Sequence, residues 1–464
     1  MIPKRLSVPF SSVRLYYRLM NLHETPFDPI KLPASRVRVR RLSALGIGRR
    51  ILLNSLAVCL VLLLAGGSTL PGELSALSAL SRQTDGYHFD ILSWEVGAIV
   101  AKAKALVTQP AAGLSAAEQR NLVAEYLKRA QRVGELEAEI NRAYSQLDNG
   151  QQAEGKVDEL QAELNALRGQ QETDRPAVEQ IIGRQVSTLL AEQGLGLGAL
   201  ALPPVEFAFV EPPKKLVVSP RERIETLYGQ MLDASIPLSA VEEIEHAIRR
   251  DQNLSAYVTG IGGLGAFPTM VVDNAGLPWI LSTVAHEWTH NYLTFFPLGL
   301  NYGVTSDLVI INETVAEIVG DEVGDAVLRR YYPELVPPRR PPPPSSDELV
   351  RPRLTTDFDF SVEMRQTRQT VDQLLAQGEI EEAERYMEER RQFFVQHGYP
   401  LRVLNQAFFA FHGSYGTGAA STSPLGPQLE RLRALTPDVA TFLQVVRSFT
   451  SAEDVAHALA TWER

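Results

Sequence analysis

The sequence predicts an α+β fold, mostly helical: an N-terminal transmembrane helix, a helical hairpin or coiled coil, a domain with a small sheet, and a helical C-terminal part. Three observations predict it. Residues 51–72 carry no charge and follow an Arg-rich flank. Residues 115–170 space apolar side chains by three, four or seven, as helices that pack on one another do. Short strand-like runs between 205 and 272 give way to helical periodicity that continues to the C-terminus.

The 464 residues are enough for two or three domains, and 45% hydrophobic with 22% charged residues is ordinary for folded protein. Cys59 is the one cysteine, so a disulfide framework and a zinc–thiolate site are both excluded. Residues 1–50 hold eleven Lys/Arg against two Asp/Glu, a net +9. The chain totals −10, so everything after that segment carries −19, the difference between the two. A body this acidic argues against nucleic acid as a partner and fits the positive-inside rule.

Taken in order, residues 1–50 are a basic cytoplasmic segment and 51–71 a single membrane span, centred on Leu56-Ala-Val-Cys-Leu-Val-Leu-Leu-Leu-Ala65. Bilayers need about 20 apolar residues, so the run is just long enough, and it would leave the rest of the chain extracytoplasmic. A cleaved signal peptide is the competing reading, with an unusually long basic region. Residues 72–200 form the helical hairpin region. Within it, 73–110 read first as a core helix with an aromatic patch (Tyr87, His88, Phe89, Trp94); the alternative is an amphipathic helix near the membrane surface.

The hairpin is marked by Tyr126, Ala130, Val133 and Ile140 on one arm and by Val157, Leu160, Leu164 and Leu167 on the other, with Asp148-Asn-Gly150 as the turn. It is a stalk, a lid or a surface for a coiled-coil partner or self-association. A third helix is expected over Pro176–Gln193, then a glycine hinge at Gly194–Gly198.

Residues 201–335 form the next domain. Val205–Val210 and Lys215–Ser219 read as strands, and Ser219-Pro-Arg-Glu-Arg-Ile as a helix start with a cap and a first-turn proline. Glu242–Arg250 is a helix with His246 at its surface; Leu254–Thr259 and Phe267–Val272 are strands joined by Gly260-Ile-Gly-Gly-Leu-Gly265. A helix follows, with Pro278 in its first turn and Trp279, Ile280, Val284, Trp288 and Tyr292 at helical spacing.

That helix carries Val284-Ala-His-Glu-Trp-Thr-His290, an H-E-x-x-H motif. Four residues apart on a helix, His286 and His290 lie one above the other and can grip one metal ion, with Glu287 beside it facing a bound water. After a loop, Thr294–Ile310, whose Tyr302 is expected to face the metal, comes Ile311-Asn-Glu-Thr-Val-Ala-Glu-Ile-Val-Gly320, again helical in period. Glu313 lies 23 residues beyond His290, and Glu317 one turn further on the same face. A catalytic zinc takes three protein ligands and keeps one position open.

H-E-W-T-H followed by N-E-T-V-A-E resembles the gluzincin, or thermolysin-like, zinc metallopeptidases over about 45 residues. The resemblance implies a zincin-like catalytic domain over 201–335, with Zn2+ as cofactor held by His286, His290 and Glu313. It makes Glu287 the general base and Glu317 the partner that orients His286; the family usually carries Asp where Glu317 stands. It also implies that a peptide or protein substrate adds to the sheet edge before the first metal helix. The glycine-rich link there reads equally as a hairpin with only a folding role.

Residues 336–350 are a Pro-rich linker, including Pro337–Pro344, and 351–464 a helical subdomain completing the cleft. Helices are expected over Phe360–Leu375, Glu379–His397 and Gly398–His412, with two more after Pro424. Thermolysin-like enzymes draw donors for the scissile carbonyl from helices after the zinc residues, which makes His412 and Tyr415, at the end of Asn405-Gln-Ala-Phe-Phe-Ala-Phe-His-Gly-Ser-Tyr415, the candidates. The expectation is a membrane-anchored, extracytoplasmic zinc metallopeptidase. Its competitors are a non-enzymatic envelope scaffold with a structural or vestigial zinc site, and a zinc amidase acting on a non-peptide amide.

Overall fold

The computed structural model describes residues 80–145, 152–198, 200–336 and 358–464. The basic segment 1–50, the expected span 51–71 and the Pro-rich run after 336 lie outside the described residues. Among the described residues no helix is long and apolar enough to cross a membrane. The chain is mostly helical with small sheets, and residues 73–464 form one compact unit. The hairpin, the metal-motif helices and the C-terminal helices are therefore parts of one body.

Helix α1 (Ile91–Thr108) follows a short described stretch from Leu80 and is capped by the Asp90 carboxylate on the Ser93 amide. The hairpin follows as α2 (Ala116–Ser145) and α3 (Gln152–Glu192). The heptad leucines meet as expected: Leu136, Ile140 and Leu164 bury each other at one end, with Leu160 and Leu167 against them. Ion pairs Arg132–Glu163 and Arg168–Glu137 tie the two arms across their solvated faces. At the other end Tyr126 donates to Asp273 at 2.8 Å, which fixes the hairpin to the body.

The separate third helix is corrected: α3 runs 41 residues straight through Pro176. A proline inside a helix removes one hydrogen bond, to the carbonyl four residues back. That carbonyl belongs to exposed Glu172, so water can satisfy it, and Val178, Ile182, Val186 and Leu190 beyond the proline are buried in the main core. The glycine hinge is instead a small hairpin, β1 (Gly196–Leu197) on β2 (Leu200–Ala201).

Two three-stranded sheets follow. Strand β4 (Lys214–Pro220) lies antiparallel between β5 (Tyr228–Leu232) and β6 (Leu254–Gly260). The helix expected to start at Ser219-Pro220 is thus a strand end and a turn. The local cap signal loses because Leu216, Val218 and Leu232 all bury under α4 (Leu238–Gln252) through Ile244 and Ile248. In the other sheet β8 (Thr269–Val271) pairs parallel with β3 (Phe207–Phe209) and antiparallel with β7 (Gly263–Leu264), whose outer side is an edge.

The centre of the body is α5 (Leu277–Leu293) packed along α7 (Ser306–Tyr331). Their join is not pure loop: Pro297–Leu300 makes a short helix, α6, and Thr305 caps α7 through the Leu308 amide. Two glycines set the distance between the long helices. A Cβ on Gly320 would lie 2.8 Å from the Ser282 carbonyl oxygen and 2.9 Å from the His286 Cβ, and one on Gly324 2.7 Å from the Ser282 amide nitrogen. Bare backbone on α7 therefore lies against α5 where the motif histidine stands.

The C-terminal part is α8 (Phe360–Ala376), α9 (Ile380–Gln396), α10 (Gln406–His412), α11 (Leu425–Leu435), α12 (Val439–Val446) and α13 (Ala452–Trp462). The expected helix from Gly398 begins only at Gln406, where the Asn405 side chain caps it, and three helices follow Pro424 where two are expected. Helices α11–α13 close the core over α7 through Leu429, Phe442, Val446 and Val455. Helices α8–α10 hold a separate cluster against the sheet, joined to it by Glu384, which accepts from Arg221 at 2.7 and 2.8 Å and from Arg249 at 2.7 and 3.1 Å.

Candidate metal centre

Helix α5 buries Ile280, Val284 and Trp288 on one side and turns His286 and His290 to a cleft on another. Helix α7 does the same with Val315, Val319 and Val323 inward and Glu313 toward the cleft. The two imidazole Nε2 atoms lie 3.0 Å apart, and Glu313 Oε2 lies 3.6 Å from His286 Nε2 and 3.5 Å from His290 Nε2. Ligands about 2.0–2.2 Å from a tetrahedral ion stand about 3.3–3.6 Å apart. Two edges of the triangle match one face of such a tetrahedron and the His286–His290 edge is somewhat shorter, so these three side chains could hold a metal ion.

Each ligand has a partner behind it. Tyr302 donates to Glu313 Oε1 at 2.6 Å, leaving Oε2 to the histidines. His290 Nδ1 donates to Asn312 Oδ1 at 2.7 Å, which in the neutral ring leaves the lone pair on Nε2. The Asn312 amide is itself oriented by donating to the Leu298 carbonyl in α6. Tyr302, expected to face the metal, lines the same cleft and holds Glu313. Asn312 escaped the sequence reading, although it stands next to Glu313 in the same motif.

The charges fit the geometry. Burial would raise the Glu313 carboxyl, but the two histidines hold it well below the usual carboxylate range. Burial would lower His290, yet Glu313 lifts it to about 9. The proton on that imidazole is the one a bound cation displaces. Burial, and then the Glu313 charge, keep the Tyr302 hydroxyl protonated, as a donor must be.

Glu287 is buried where α5 passes the edge strand β7. A Cβ on Gly263 would lie 2.5 Å from Glu287 Oε1, so a larger residue there would push the carboxylate aside. Burial pushes the Glu287 carboxyl up, against the pull of His286 and His290. Among the described residues no hydrogen-bond donor is paired with it.

Glu317, assigned to His286 from the sequence, accepts instead from the Thr417 hydroxyl. Burial raises its carboxyl, with that hydrogen bond working the other way. Thr314, one turn before it, accepts from the Gly416 amide at 3.0 Å. Together they moor the segment after α10 to α7 and bring the Tyr415 ring to 6.3 Å from the His286 ring. Burial, then the Glu313 and Glu287 charges, hold the Tyr415 hydroxyl above its usual range. His412 lines the same cleft but stacks within an aromatic group, 4.2 Å from Phe408 and 5.9 Å from Tyr257, and burial pushes it down to about 4, leaving it neutral.

The cleft has a volume of about 720 Å³, and the glycine-rich segment Gly260–Gly265 forms one wall. The structure thus brings together every residue singled out for the site: His286, Glu287, His290, Glu313, Glu317, His412 and Tyr415 all line it. Lys215 of β4 joins them, its ammonium 5.4 Å from the Phe411 ring centre; nothing in the local sequence marks it. No protein-family model, no curated protein and no solved structure matches the chain.

Proposed function

We propose that the protein is a zinc metallopeptidase of the thermolysin-like kind, anchored in a membrane by residues 51–71 with its catalytic body outside the cytoplasm. The observation that carries the reading is the convergence of His286, His290 and Glu313 at 3.0–3.6 Å in a cleft with Glu287 buried beside them. Zinc is preferred because two imidazoles and one carboxylate are a common ligand set for catalytic zinc. The anchor rests on the uncharged run after a +9 segment.

Zinc bound there would lower the pKa of a water toward ~7 and polarise a substrate carbonyl. Glu287 takes a proton from the attacking water and passes it to the amine nitrogen as the C–N bond breaks. A carboxyl raised by burial suits both halves of that transfer. Tyr415, still protonated, donates to the carbonyl oxygen as it gains charge; neutral His412 is the second donor from the same wall. An extended peptide pairs its backbone with the open side of β7, where glycines allow close approach. A purely structural metal site has no use for a buried carboxylate without a donor, which favours an enzyme over a scaffold.

The test is peptide-library cleavage by the purified protein and by Glu287→Gln. The wild type should cut, and the variant should keep its zinc and lose hydrolysis. A fully active variant would remove Glu287 from the chemistry; cleavage of amides but no peptides would move the substrate class.

A further inference from the structure

Helix α1 has its faces inverted. At 100° per residue, Leu92, Val96, Ile99, Val100, Ala103, Leu106 and Val107 fall within about a third of its circumference, an uninterrupted apolar stripe of the kind that normally faces a core. Here it faces outward: Val96 is 66% exposed, Val100 64%, Leu106 68% and Val107 84%, and no residue of the helix is buried. Two of its three charged groups turn to the body, and Lys104 is exposed. Lys102 pairs with buried Glu179 at 2.7 Å, and Glu95 accepts from the Phe267 amide at 3.3 Å. The stripe continues onto the β1–β2 hairpin, where Leu200 and Leu202 share a cleft with Leu106 and are 66% and 52% exposed. A helix that packs its charges and exposes its valines has a partner for the apolar side.

We propose that this surface, α1 with the β1–β2 hairpin, lies in the interface of a lipid bilayer. The inference rests on the membrane-anchored part of the function proposed above, and not on the metal site. Two observations choose lipid over another chain. Eighteen residues separate Gly72, where the uncharged run ends, from Ile91, and that many residues reach at most about 60 Å. An anchor at residues 51–71 would thus keep the stripe within that reach of the bilayer. The body carries −19, so apposing two copies brings like charges together, whereas a zwitterionic lipid surface opposes nothing. Helices of this kind sink their apolar face about 5–10 Å into the acyl boundary. The consequence reaches the cleft: Phe267, held by Glu95, is two residues from Gly265, whose Cβ position is 3.4 Å from Glu287 Oε2. The cleft opens near the lipid, which suits substrate segments close to a membrane.

The test uses the full chain with Cys59→Ala and Val100→Cys, labelled with an environment-sensitive fluorophore and reconstituted into phosphatidylcholine vesicles. A second preparation is labelled at Glu389→Cys on the exposed side of α9. Flotation with the vesicles, together with severalfold quenching of the Val100 position by spin-labelled lipid and resistance to iodide, is the expected result, with the reverse pattern at position 389. Flotation with iodide quenching at both positions would leave the anchor standing and overturn the surface. Shielding of position 100 from both quenchers would mean that protein covers it, and would also overturn the proposal. A chain that does not float would remove the anchor and the surface together, leaving the metal-site reading to its own test.

Discussion

The Tyr302 hydroxyl holds one oxygen of Glu313 at 2.6 Å, and the other oxygen then lies within 3.6 Å of both motif histidines. A carboxylate with one oxygen occupied by a donor offers the second in a fixed direction, so the loop between α5 and α7 aims the third ligand. Tyr302→Phe removes that donor and little packing, because only the hydroxyl is lost and the ring stays. Metal affinity should fall about 10–100-fold with the fold intact. Competition titration against a chelator, with circular dichroism on the same sample, checks both; unchanged affinity would make the hydrogen bond incidental.

Gly320 sets the approach of the two ligand-bearing helices. Gly320→Ala places a methyl group 2.8 Å from the Ser282 carbonyl oxygen and 2.9 Å from the His286 Cβ, and backbone cannot step aside cheaply. The helices should part by a few tenths of an ångström, costing about 1–3 kcal/mol and weakening metal binding at the same time. Urea denaturation and metal titration measure the two effects. A variant as stable and as tightly bound as the wild type would show that the helix pair is not packed this closely.

Glu384 joins the C-terminal helices to the sheet. Burial alone would raise its carboxyl, but hydrogen bonds from Arg221 and Arg249 hold it at about 2 against an ordinary 4.5. A depressed carboxylate contributes stability in full above the unfolded value and loses it as pH falls through the folded one. The contribution is therefore complete at neutral pH and fades between about 4.5 and 2. Glu384→Gln should cost about 1–3 kcal/mol at pH 7, with the gap to wild type narrowing as pH drops below 4.5. Denaturation curves at pH 7, 5 and 3.5 follow it, and a gap that does not change with pH would deny the ion pair.

The candidate metal cluster was legible because its signals are local. His286, Glu287 and His290 share two turns of one helix, and Glu313 sits in a second helix whose period is plain. The partners were less legible: Asn312 was missed although it stands beside Glu313, and others lie far along the chain. Tyr302 reaches Glu313 only after α6 has folded the connection back. Thr417 meets Glu317 across 100 residues, so nothing local pointed to it, and the family resemblance gave that carboxylate to His286. Gly320 and Gly324 did carry a readable sign, since they continue the face of Glu313 and Glu317 at spacings of three and four. The helix expected at Ser219-Pro220 failed for the opposite reason: its cap signal was good, but strand pairing buried Leu216 and Val218. In α1 the apolar stripe was visible and read as core, because periodicity shows that a face is apolar and not what covers it.

The measurement that bears most directly on the account is the metal content of the purified protein, wild type beside His286→Ala, with folding verified in both. One zinc per chain is expected in the wild type and none in the variant. A well-folded wild type without zinc, or a variant that keeps it, would contradict the site on which the proposed hydrolysis depends.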